Sequence, residues 1–327
     1  MVPASDERFA VILCNLGTPE SATPKGVAKF LRRFLSDKRV VDLPRALWLP
    51  LLNGVILPLR SRRVAKLYQQ IWLDQGSPLA VISENLRAKL AKELDGRAEV
   101  LLAMNYSDPD IAQVLEQVVQ QGFDKVLVLP MYPQYSVTTT APVFDAYHRA
   151  SQKLYRLPEV RMVSHYYQSP RYIQALANSI RQQWQTEKPG EVLLFSFHGI
   201  PERYSKLGDP YAKHCEATAE AVALELGLSQ KQWRLCFQSR FGKEPWLQPY
   251  TDELLAGLVE KGVKSVDIIS PAFATDCLET IEELGSELRE EFMEAGGEHY
   301  NYIPALNDGA DQLALYREII EHHTQGW

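Results

Sequence analysis

Short, almost wholly apolar segments alternate with longer helical patterns along the whole of this 327-residue chain. Segments of this kind are typical of strands that are buried on both faces of a sheet. Strands alternating with helices predict a mostly parallel sheet that is covered on both sides. We predict eight strands, at residues 10–15, 100–106, 125–129, 161–165, 192–197, 234–238, 265–270 and 300–303. Helices predicted between them include 110–121, 212–226, 251–261 and 278–295.

Two segments of the chain follow the same pattern, which indicates an internal repeat. Residues 118–130 (VVQQGFDKVLVLP) and 258–271 (LVEKGVKSVDIISP) each combine a helix end, a glycine at the C-cap position and a buried strand that ends near a proline. The chain is also long enough for two domains. We therefore predict two similar α/β halves, residues 1–165 and residues 166–327.

Composition and motif content argue against several classes of protein. A net charge of −6 disfavours a nucleic-acid partner, and the chain contains no GxGxxG, Walker A, nucleophile-elbow or HExxH motif. The N-terminal MVPASDERFAV lacks the features of a secretory signal. The four cysteines, at positions 14, 215, 236 and 277, form no CxxC pair. This argues against a zinc knuckle or a disulfide framework and predicts a cytoplasmic protein.

One early segment is far more apolar than its surroundings. Residues 45–63 (RALWLPLLNGVILPLRSRR) are interrupted by Pro50 and Pro58 and are flanked by arginines. The apolar stretch is too short to cross a bilayer, which takes about 20 residues. It predicts either a buried pair of helices or an exposed apolar lip, centred on residues 47–59. Such a lip would touch an apolar ligand or the inner membrane surface, with its arginines at anionic groups.

Three glutamates follow the predicted strand at 265–270 with four-residue spacing. On an α-helix, Glu279, Glu283 and Glu287 would share one face, about 6 Å apart at each step. Like charges at that spacing repel, so such a row is useful if it must hold or pass a cation or protons. A second interpretation fits the same residues, because Asp276 followed by Glu279 is also a helix N-cap with an N3 carboxylate.

The candidate site lies where strands end, because ligands of open α/β sheets bind beyond the carboxyl ends of the strands. Unusual loops follow five predicted strands, at residues 15–20, 131–136, 198–201, 238–246 and 271–276. They bring an imidazole, an acid and several aromatic rings to one rim: His198, Glu279, Tyr132, Tyr135, Trp246 and Phe273. His198 is singled out because it precedes Gly-Ile-Pro, a stiff turn. We expect the histidines at 148, 214, 299, 322 and 323 at the surface.

Five motifs resemble those of the ferrochelatases, the terminal enzymes of haem synthesis. They are LGTPE (16–20), MYPQYS (131–136), SFHGIPERY (196–204), QSRFGKEPW (238–246) and FATDCLETIEEL (273–284), and they extend over nearly the whole chain. The resemblance implies two Rossmann-like halves, each a parallel sheet flanked by helices, with the active-site cleft between them. It also implies insertion of Fe²⁺ into protoporphyrin IX with release of two protons.

The resemblance also assigns roles residue by residue. The metal ligands fall on His198 and Glu279, and the catalytic set on His198, Asp276, Glu279 and Glu283, with Glu287 continuing the acid row. Positions that line the porphyrin fall on Leu16, Tyr68, Ser77, Tyr132, Trp246 and Phe273. Arg60 and Ser239 fall where propionates are held.

Three positions depart from the animal ferrochelatases. Asn105-Tyr106 replaces an Arg-Tyr pair, which puts one arginine contact in doubt, and Cys277 replaces a histidine and is a further candidate to touch metal. Val137 stands where animal enzymes have a cluster cysteine, and their cluster-bearing C-terminal extension does not follow. We therefore expect Fe²⁺ as a substrate only, with no resident cofactor and no iron–sulfur cluster.

Two rival functions fit the same motifs. One is a chelatase for another tetrapyrrole, such as coproporphyrin or sirohydrochlorin, or for another metal. Leu16 and the apolar lip favour the less polar protoporphyrin. The other rival is a non-catalytic haem or porphyrin carrier, which would use an axial histidine but would not need an acid row.

Overall fold

A computed structural model describes residues 8–327, which form two compact units. The described part of the first unit comprises residues 8–132, 136–165 and 308–327, and the second comprises 133–135 and 166–307. The division after residue 165 agrees with the sequence prediction. Residues 308–327 belong to the first unit and not, as predicted, to the second half, and their helix (Ala310–His323) packs against a helix of the first unit.

The first unit is built on a four-stranded parallel sheet. Its strands are β1 (Phe9–Asn15), β2 (Ala98–Met104), β3 (Lys125–Pro130) and β4 (Glu159–Met162). They lie in the order β2-β1-β3-β4, with Ile12 opposite Leu101 and Val128. β1 is an inner strand buried along its whole length, which explains why its sequence is apolar almost throughout.

Helices cover this sheet and bury its core. They are α1 (Pro24–Leu35), α2 (Arg45–Leu51), α3 (Leu57–Ile71), α4 (Pro78–Glu93), α5 (Ile111–Gln120), α6 (Thr140–Ser151) and the C-terminal helix. Alternate residues of β1, namely Ala10, Ile12 and Cys14, pack with α5 and α6 in one cluster. Full burial of an aliphatic side chain of this kind contributes about 1.5–3 kcal/mol.

The segment at 45–63 is an exposed lip with a buried inner face. α2, a π-helical segment (Leu52–Ile56) and α3 form one continuous helical run, so the prolines do not separate two helices. Trp48 and Leu52 are buried, whereas Leu47 and Leu59 are 73% and 72% exposed. Of the two predicted alternatives, the exposed lip is confirmed and the fully buried helix pair is wrong. Within residues 8–327, no helix is both long and apolar enough to cross a bilayer.

The second unit repeats the architecture of the first. Its strands are β5 (Val192–His198), β6 (Trp233–Gln238), β7 (Ser265–Ile269) and β8 (His299–Ile303), all parallel and in the order β6-β5-β7-β8. Its helices are α7 (Pro170–Thr186), α8 (Glu202–Lys206), α9 (Tyr211–Glu225), α10 (Thr251–Glu260), an acidic π-helix (Glu279–Glu287) and α11 (Leu288–Glu294). One sheet face packs against α10, the acidic π-helix and α11.

The internal repeat predicted from the sequence is confirmed. Both sheets have the same strand order, and in both the third strand follows a helix that ends at a left-handed glycine, Gly122 or Gly262, with φ of 85° and 86°. All eight predicted strands are present, with bounds shifted by up to about three residues.

Candidate active site

His198 is the last residue of β5 and lies on the face of the sheet that carries the acidic π-helix. Side chains alternate along a strand, so His198 shares a face with Leu194, which packs in the cluster containing Leu284 of the π-helix. The ring Nδ1 lies 2.7 Å from the carbonyl oxygen of Gly199. Because a carbonyl can only accept, Nδ1 is the donor in this contact, and in the neutral ring Nε2 therefore presents its lone pair. A half-buried imidazole is thus held as a base or ligand.

Two aromatic rings flank this imidazole. The ring centroids of Trp246 and Phe273 lie 6.5 Å and 6.4 Å from that of His198, and both rings are tilted and half-buried. The prediction that the loops after β5, β6 and β7 converge on one rim is confirmed for these three side chains. They place one imidazole between two larger aromatic rings at the end of the sheet.

The acid row is carried by a π-helix, not by the α-helix that the spacing predicted. Residues 279–287 are π-helical, and an α-helix resumes only at Leu288. A π-helix has slightly more than four residues per turn, so Glu279, Glu283 and Glu287 still succeed one another along one side. Four-residue spacing therefore suits either helix type and could not distinguish them. Short π-helical segments are frequent at functional sites.

Glu283 is the most tightly held member of the row. Its carboxylate accepts hydrogen bonds from the Ser239 N–H (2.8 Å), the Ser239 hydroxyl and the Gln238 amide nitrogen (3.2 Å). Ser239 adopts φ of 64°, a conformation uncommon for a residue with a side chain. Burial raises the pKa of Glu283 and the charge of Glu279 adds to it, whereas the Ser239 hydrogen bond and His198 oppose the rise. Glu283 is thus a carboxyl group that takes up a proton more readily than an exposed glutamate.

An open cavity of about 230 Å³ adjoins the row. Its walls come from the end of β6, the start of α10, the π-helix and α11, and are formed by Phe237, Gln238, Ser239, Arg240, Thr251, Asp252, Glu283, Glu287, Leu288 and Glu291. Arg240 pairs with Asp252 (2.8 Å) and with Glu253 (2.7 Å), so it is held against the first turn of α10. Four carboxylates and one guanidinium therefore line a space that is large enough for a hydrated cation.

Asp276 precedes the π-helix and is an internal anchor. Asp276 is 6% exposed, and its carboxylate accepts hydrogen bonds from the Thr280 and Tyr302 hydroxyls, the Ala305 N–H and the Asn307 amide. These donors are not backbone N–H groups of the first helical turn, so the N-cap interpretation is wrong. Asp276 instead ties the start of the π-helix to the loop after β8, which favours a positioning role over proton transfer.

Cys277 is held as a protonated thiol. Burial is the main cause that raises its pKa well above the ordinary range, and the charge of Glu279 and a hydrogen bond with it add to the shift. The other cysteines are free and buried as well, and burial likewise raises the pKa of Cys236 to about 12. Cys277 is 4% exposed and is not among the residues that line the acidic cavity.

Three predicted substrate-binding residues of the first unit have other contacts. Leu16 follows β1 and is half-buried, with its carbonyl accepting from the Tyr106 N–H. Ser77 is 2% exposed and caps α4 by accepting from the Ala80 N–H (3.3 Å). The hydroxyl of Tyr132 is buried, and burial followed by the proximity of Cys14 raises its pKa. Tyr132 can therefore offer a substrate its ring face but not its hydroxyl.

The other predicted residues of the first unit lie on or near the lip. Arg60 is half-buried on α3, and Tyr68 is buried two turns later, with its ring edge-on to Trp72 at 5.9 Å. In the Asn105-Tyr106 pair, the Tyr106 hydroxyl donates to Asp37 (2.9 Å), and burial raises its pKa. The Tyr106 hydroxyl is thus already engaged with Asp37 within the first unit.

Sequence reasoning missed several residues. His214, expected at the surface, is 8% exposed, stacks on Tyr167 at 3.8 Å and accepts from the Tyr135 N–H. The sequence does not predict the buried links that Gln238 makes to the π-helix or the one that Asn307 makes to Asp276. Gln238 carried one local signal, since it is a polar residue that ends a buried strand. Within residues 8–327, no group of three or more His, Cys, Asp or Glu side chains is arranged to hold a metal.

Comparison with known proteins agrees with the motifs. A family model described as Ferrochelatase matches residues 8–324. Ferrochelatase 1 of Shewanella oneidensis is 50% identical over 323 residues, which cover 98% of this chain and 97% of that protein. The ferrochelatase of Aeromonas hydrophila subsp. hydrophila is 52% identical over 316 residues, which cover 96% of this chain and 98% of that protein.

A solved structure confirms the fold class. SirB from Bacillus subtilis with Fe³⁺ has a TM-score of 0.57 to this chain at 11% sequence identity, covering 97% of this chain and 96% of that chain. Likeness at so low an identity shows the fold alone.

Proposed function

The chain belongs to the ferrochelatase family, and we propose that it inserts Fe²⁺ into protoporphyrin IX to give protohaem and two protons, the last step of haem synthesis. One observation carries the chemical part of this proposal. The His198 Nδ1–H is fixed on the Gly199 carbonyl, so Nε2 presents a lone pair on the sheet face that also carries the acid row.

Proton removal is the first requirement of the reaction. A free-base porphyrin carries two pyrrole N–H groups, and both protons must leave as the metal enters. Imidazole is the side chain that most readily takes and releases protons near neutral pH. We assign the first acceptor to His198 Nε2, and onward transfer to the carboxylates of Glu279, Glu283 and Glu287. The raised pKa of Glu283 suits a group that must both take up and release a proton.

Metal delivery is the second requirement. Imidazole and carboxylate both suit Fe²⁺, a borderline metal, so we assign His198 and Glu279 as its transient ligands. Two protein ligands bind iron weakly enough to release it to four macrocycle nitrogens. The acidic cavity beside Glu283 and Glu287 can concentrate cations at the outer end of the row.

The porphyrin itself is an apolar disc, and a distorted ring exposes its nitrogen lone pairs better than a flat one. We propose that Leu16, Tyr68, Trp246, Phe273 and the ring face of Tyr132 contact it, so that burial of apolar surface offsets the cost of distortion. Arg60 is our candidate for a propionate. Ser77 and Ser239 are candidates of lower rank, because both hydroxyls already have partners.

No resident cofactor enters this scheme. We propose that iron is handled only as a substrate and that no iron–sulfur cluster is carried, in keeping with Val137, which follows the MYPQYS motif, and with four cysteines that are buried and free.

We further propose a cytoplasmic protein whose lip rests on the inner membrane surface. Leu47, Leu51, Val55 and Leu59 are each at least 46% exposed. Residues 25–66 contain eleven Lys and Arg residues against two acids, although the whole chain has a net charge of −6. Three of the eleven, Lys29, Arg33 and Arg39, pair with acids outside this segment, which leaves a basic excess. Exposed leucines beside a basic surface suit a bilayer that contains anionic lipids, where each basic side chain near the surface adds about 1 kcal/mol.

Vesicle sedimentation tests the membrane contact. We expect the protein to sediment with vesicles of phosphatidylcholine and phosphatidylglycerol, less so at high salt. Replacing both Leu47 and Leu59 with serine should weaken partitioning about 100-fold, because the two side chains together contribute about 3 kcal/mol. Leu157→Ser, at a 60% exposed leucine outside the lip, is the matched control. A wild-type protein that stays in the supernatant would contradict the proposal.

Turnover with Fe²⁺ and protoporphyrin IX under anaerobic conditions tests the reaction. We expect many turnovers in wild type and in Glu290→Gln, an exposed acid on α11, and a loss of turnover in His198→Ala and Glu279→Gln. Turnover that is faster with coproporphyrin would favour the alternative chelatase. Binding of one porphyrin per chain without turnover would favour a carrier.

A further inference from the structure

Gln238 ends β6 and has every polar group of its side chain in use. It is 3% exposed. Its amide oxygen accepts from the Ser196 hydroxyl (2.9 Å), and its amide nitrogen donates to the Glu279 carbonyl (2.8 Å) and to the Glu283 carboxylate (3.2 Å). One side chain therefore joins β5 to the acidic π-helix. A buried amide of this kind is costly to leave unpaired.

The orientation of this amide is fixed by its neighbours. Rotating it by a half turn would place its oxygen against two acceptors, the Glu279 carbonyl and the Glu283 carboxylate. The Ser196 hydroxyl also lies 3.0 Å from the Thr251 hydroxyl, which completes the network behind the amide. Only the observed orientation satisfies every group, so Gln238 acts as a rigid link.

The backbone of Gln238 holds the turn that sets the His198 tautomer. Its carbonyl accepts from the Gly199 N–H (2.9 Å), and the Gly199 carbonyl in turn accepts from His198 Nδ1 (2.7 Å). A Cβ at Gly199 would lie 3.0 Å from the Gln238 oxygen and 3.1 Å from the Trp246 ring. This close approach leaves the peptide that faces His198 little room to move.

We propose that Gln238 is a positioning residue for metal insertion, which holds the His198 turn and the first turn of the acidic π-helix in a fixed relation. It touches neither metal nor porphyrin in this scheme. Its effect on the reaction rests on the proposed function, because it acts through His198, Glu279 and Glu283. Its effect on the imidazole is a property of the fold alone.

Gln238→Met tests the link, because methionine has nearly the same length and apolar volume but cannot donate or accept as an amide does. We expect kcat to fall about 10-fold to 100-fold, the range for small misplacements of reacting groups. The porphyrin Kd, measured by fluorescence quenching, should stay within a factor of two. A general loss of folding would change both quantities.

The tautomer of His198 gives a readout that does not depend on turnover. In protein labelled with ¹⁵N-histidine, the His198 signals are identified by their loss in His198→Asn. Wild type should show a single tautomer protonated at Nδ1. Gln238→Met should show a mixture of the two tautomers. Residue 238 keeps the backbone carbonyl that holds the Gly199 turn, but without the amide that strand end is no longer fixed to the π-helix.

Two further variants complete the experiment. Ser270→Ala is the matched control, since the Ser270 hydroxyl donates to the Ser196 carbonyl (2.6 Å) in the same buried region without touching the Gln238 amide. It should keep the wild-type tautomer and kcat. Ser196→Ala removes the partner of the amide oxygen, together with the contact between the Ser196 and Thr251 hydroxyls, and serves if Gln238→Met does not fold. It should shift both readouts in the same direction as Gln238→Met, by a smaller amount.

The outcomes separate the two proposals. A tautomer mixture together with the fall in kcat supports the positioning role. A single wild-type tautomer, or a kcat within a factor of two of wild type in a folded Gln238→Met, overturns it. If wild type itself inserts no metal into any porphyrin, the proposed function fails, and the tautomer alone still decides whether Gln238 holds His198.

Discussion

Replacing Asp276 with alanine should destabilise the second unit by about 3–5 kcal/mol. Asp276 is 6% exposed, and its carboxylate accepts hydrogen bonds from Thr280, Tyr302, Ala305 and Asn307. Alanine would remove the acceptor of all four donors, of which the Thr280 hydroxyl can still donate to the Cys277 carbonyl (3.2 Å). A buried unpaired donor costs about 1–3 kcal/mol. The side chains of Tyr302 and Asn307 can turn toward water, which reduces the total.

Asp276→Asn is the more discriminating change. It keeps the oxygen that serves Thr280, Tyr302 and Ala305 and places an amide against the Asn307 amide, so only one of the four hydrogen bonds is lost. We expect a cost of about 1–2 kcal/mol. If Asp276 only positions the π-helix, this variant should retain much of its turnover. If its negative charge takes part in catalysis, turnover should collapse although the fold remains.

Urea unfolding followed by circular dichroism measures the stability difference, and metal insertion at saturating substrates measures the rate. Glu290→Gln removes an exposed acid nearby and should change stability by less than about 0.5 kcal/mol. An Asp276→Ala variant that is as stable as this control but inactive would refute the anchoring argument and restore Asp276 to the catalytic set.

Three other predictions follow from burial and charge. The native protein should react slowly with a thiol reagent and yield four thiols once unfolded, because all four cysteines are buried; fast modification of Cys277 would contradict its high pKa. Gly17→Ala should destabilise the first unit by more than about 1 kcal/mol, since Gly17 has φ of 101° and a Cβ would lie 2.6 Å from the Ser107 hydroxyl. Thermal unfolding measures this cost. Gly96→Ala is the control, because Gly96 also has a positive φ but a Cβ there would meet open space, so the difference between the two variants isolates the clash from the backbone strain. The kcat should fall with decreasing pH as Glu283 is protonated, and this fall should lie above the ordinary glutamate range because burial raises the pKa of Glu283. Glu283→Gln should lower kcat and remove the acidic limb of the pH profile. An acidic limb that is unchanged in this variant would show that another group causes it.

Local patterns were enough to predict the sheets. Strands such as 9–15 and 192–198 are buried on both faces, so their sequences are apolar almost throughout and can be recognised as strands. The paired glycines at 122 and 262 revealed the repeat because a left-handed C-cap strongly favours glycine. The placement of residues 308–327 was wrong, since which unit a terminal helix joins depends on surfaces distant in sequence.

The sequence predicted which kinds of side chain the candidate site contains, but not how hydrogen bonds and helix type arrange them. The position of His198 after a strand was informative because strand ends converge in parallel sheets. The π-helix was not predictable from the four-residue spacing of its acids, which suits an α-helix as well. The roles of Asp276, Gln238 and Ser77 depend on partners such as Asn307 and Glu283, and no local pattern identifies those partners. A polar residue in a motif is therefore as readily an anchor as a reacting group.

The most direct test of the central claim is to count protons and metalloporphyrin together. Anaerobic mixing of the protein with excess Fe²⁺ and protoporphyrin IX in a weakly buffered indicator solution gives both numbers from two wavelengths. The account predicts two protons for each ring converted, many rings for each protein chain, and neither signal in His198→Ala. One ring bound per chain, with no protons released and no further conversion, would contradict it.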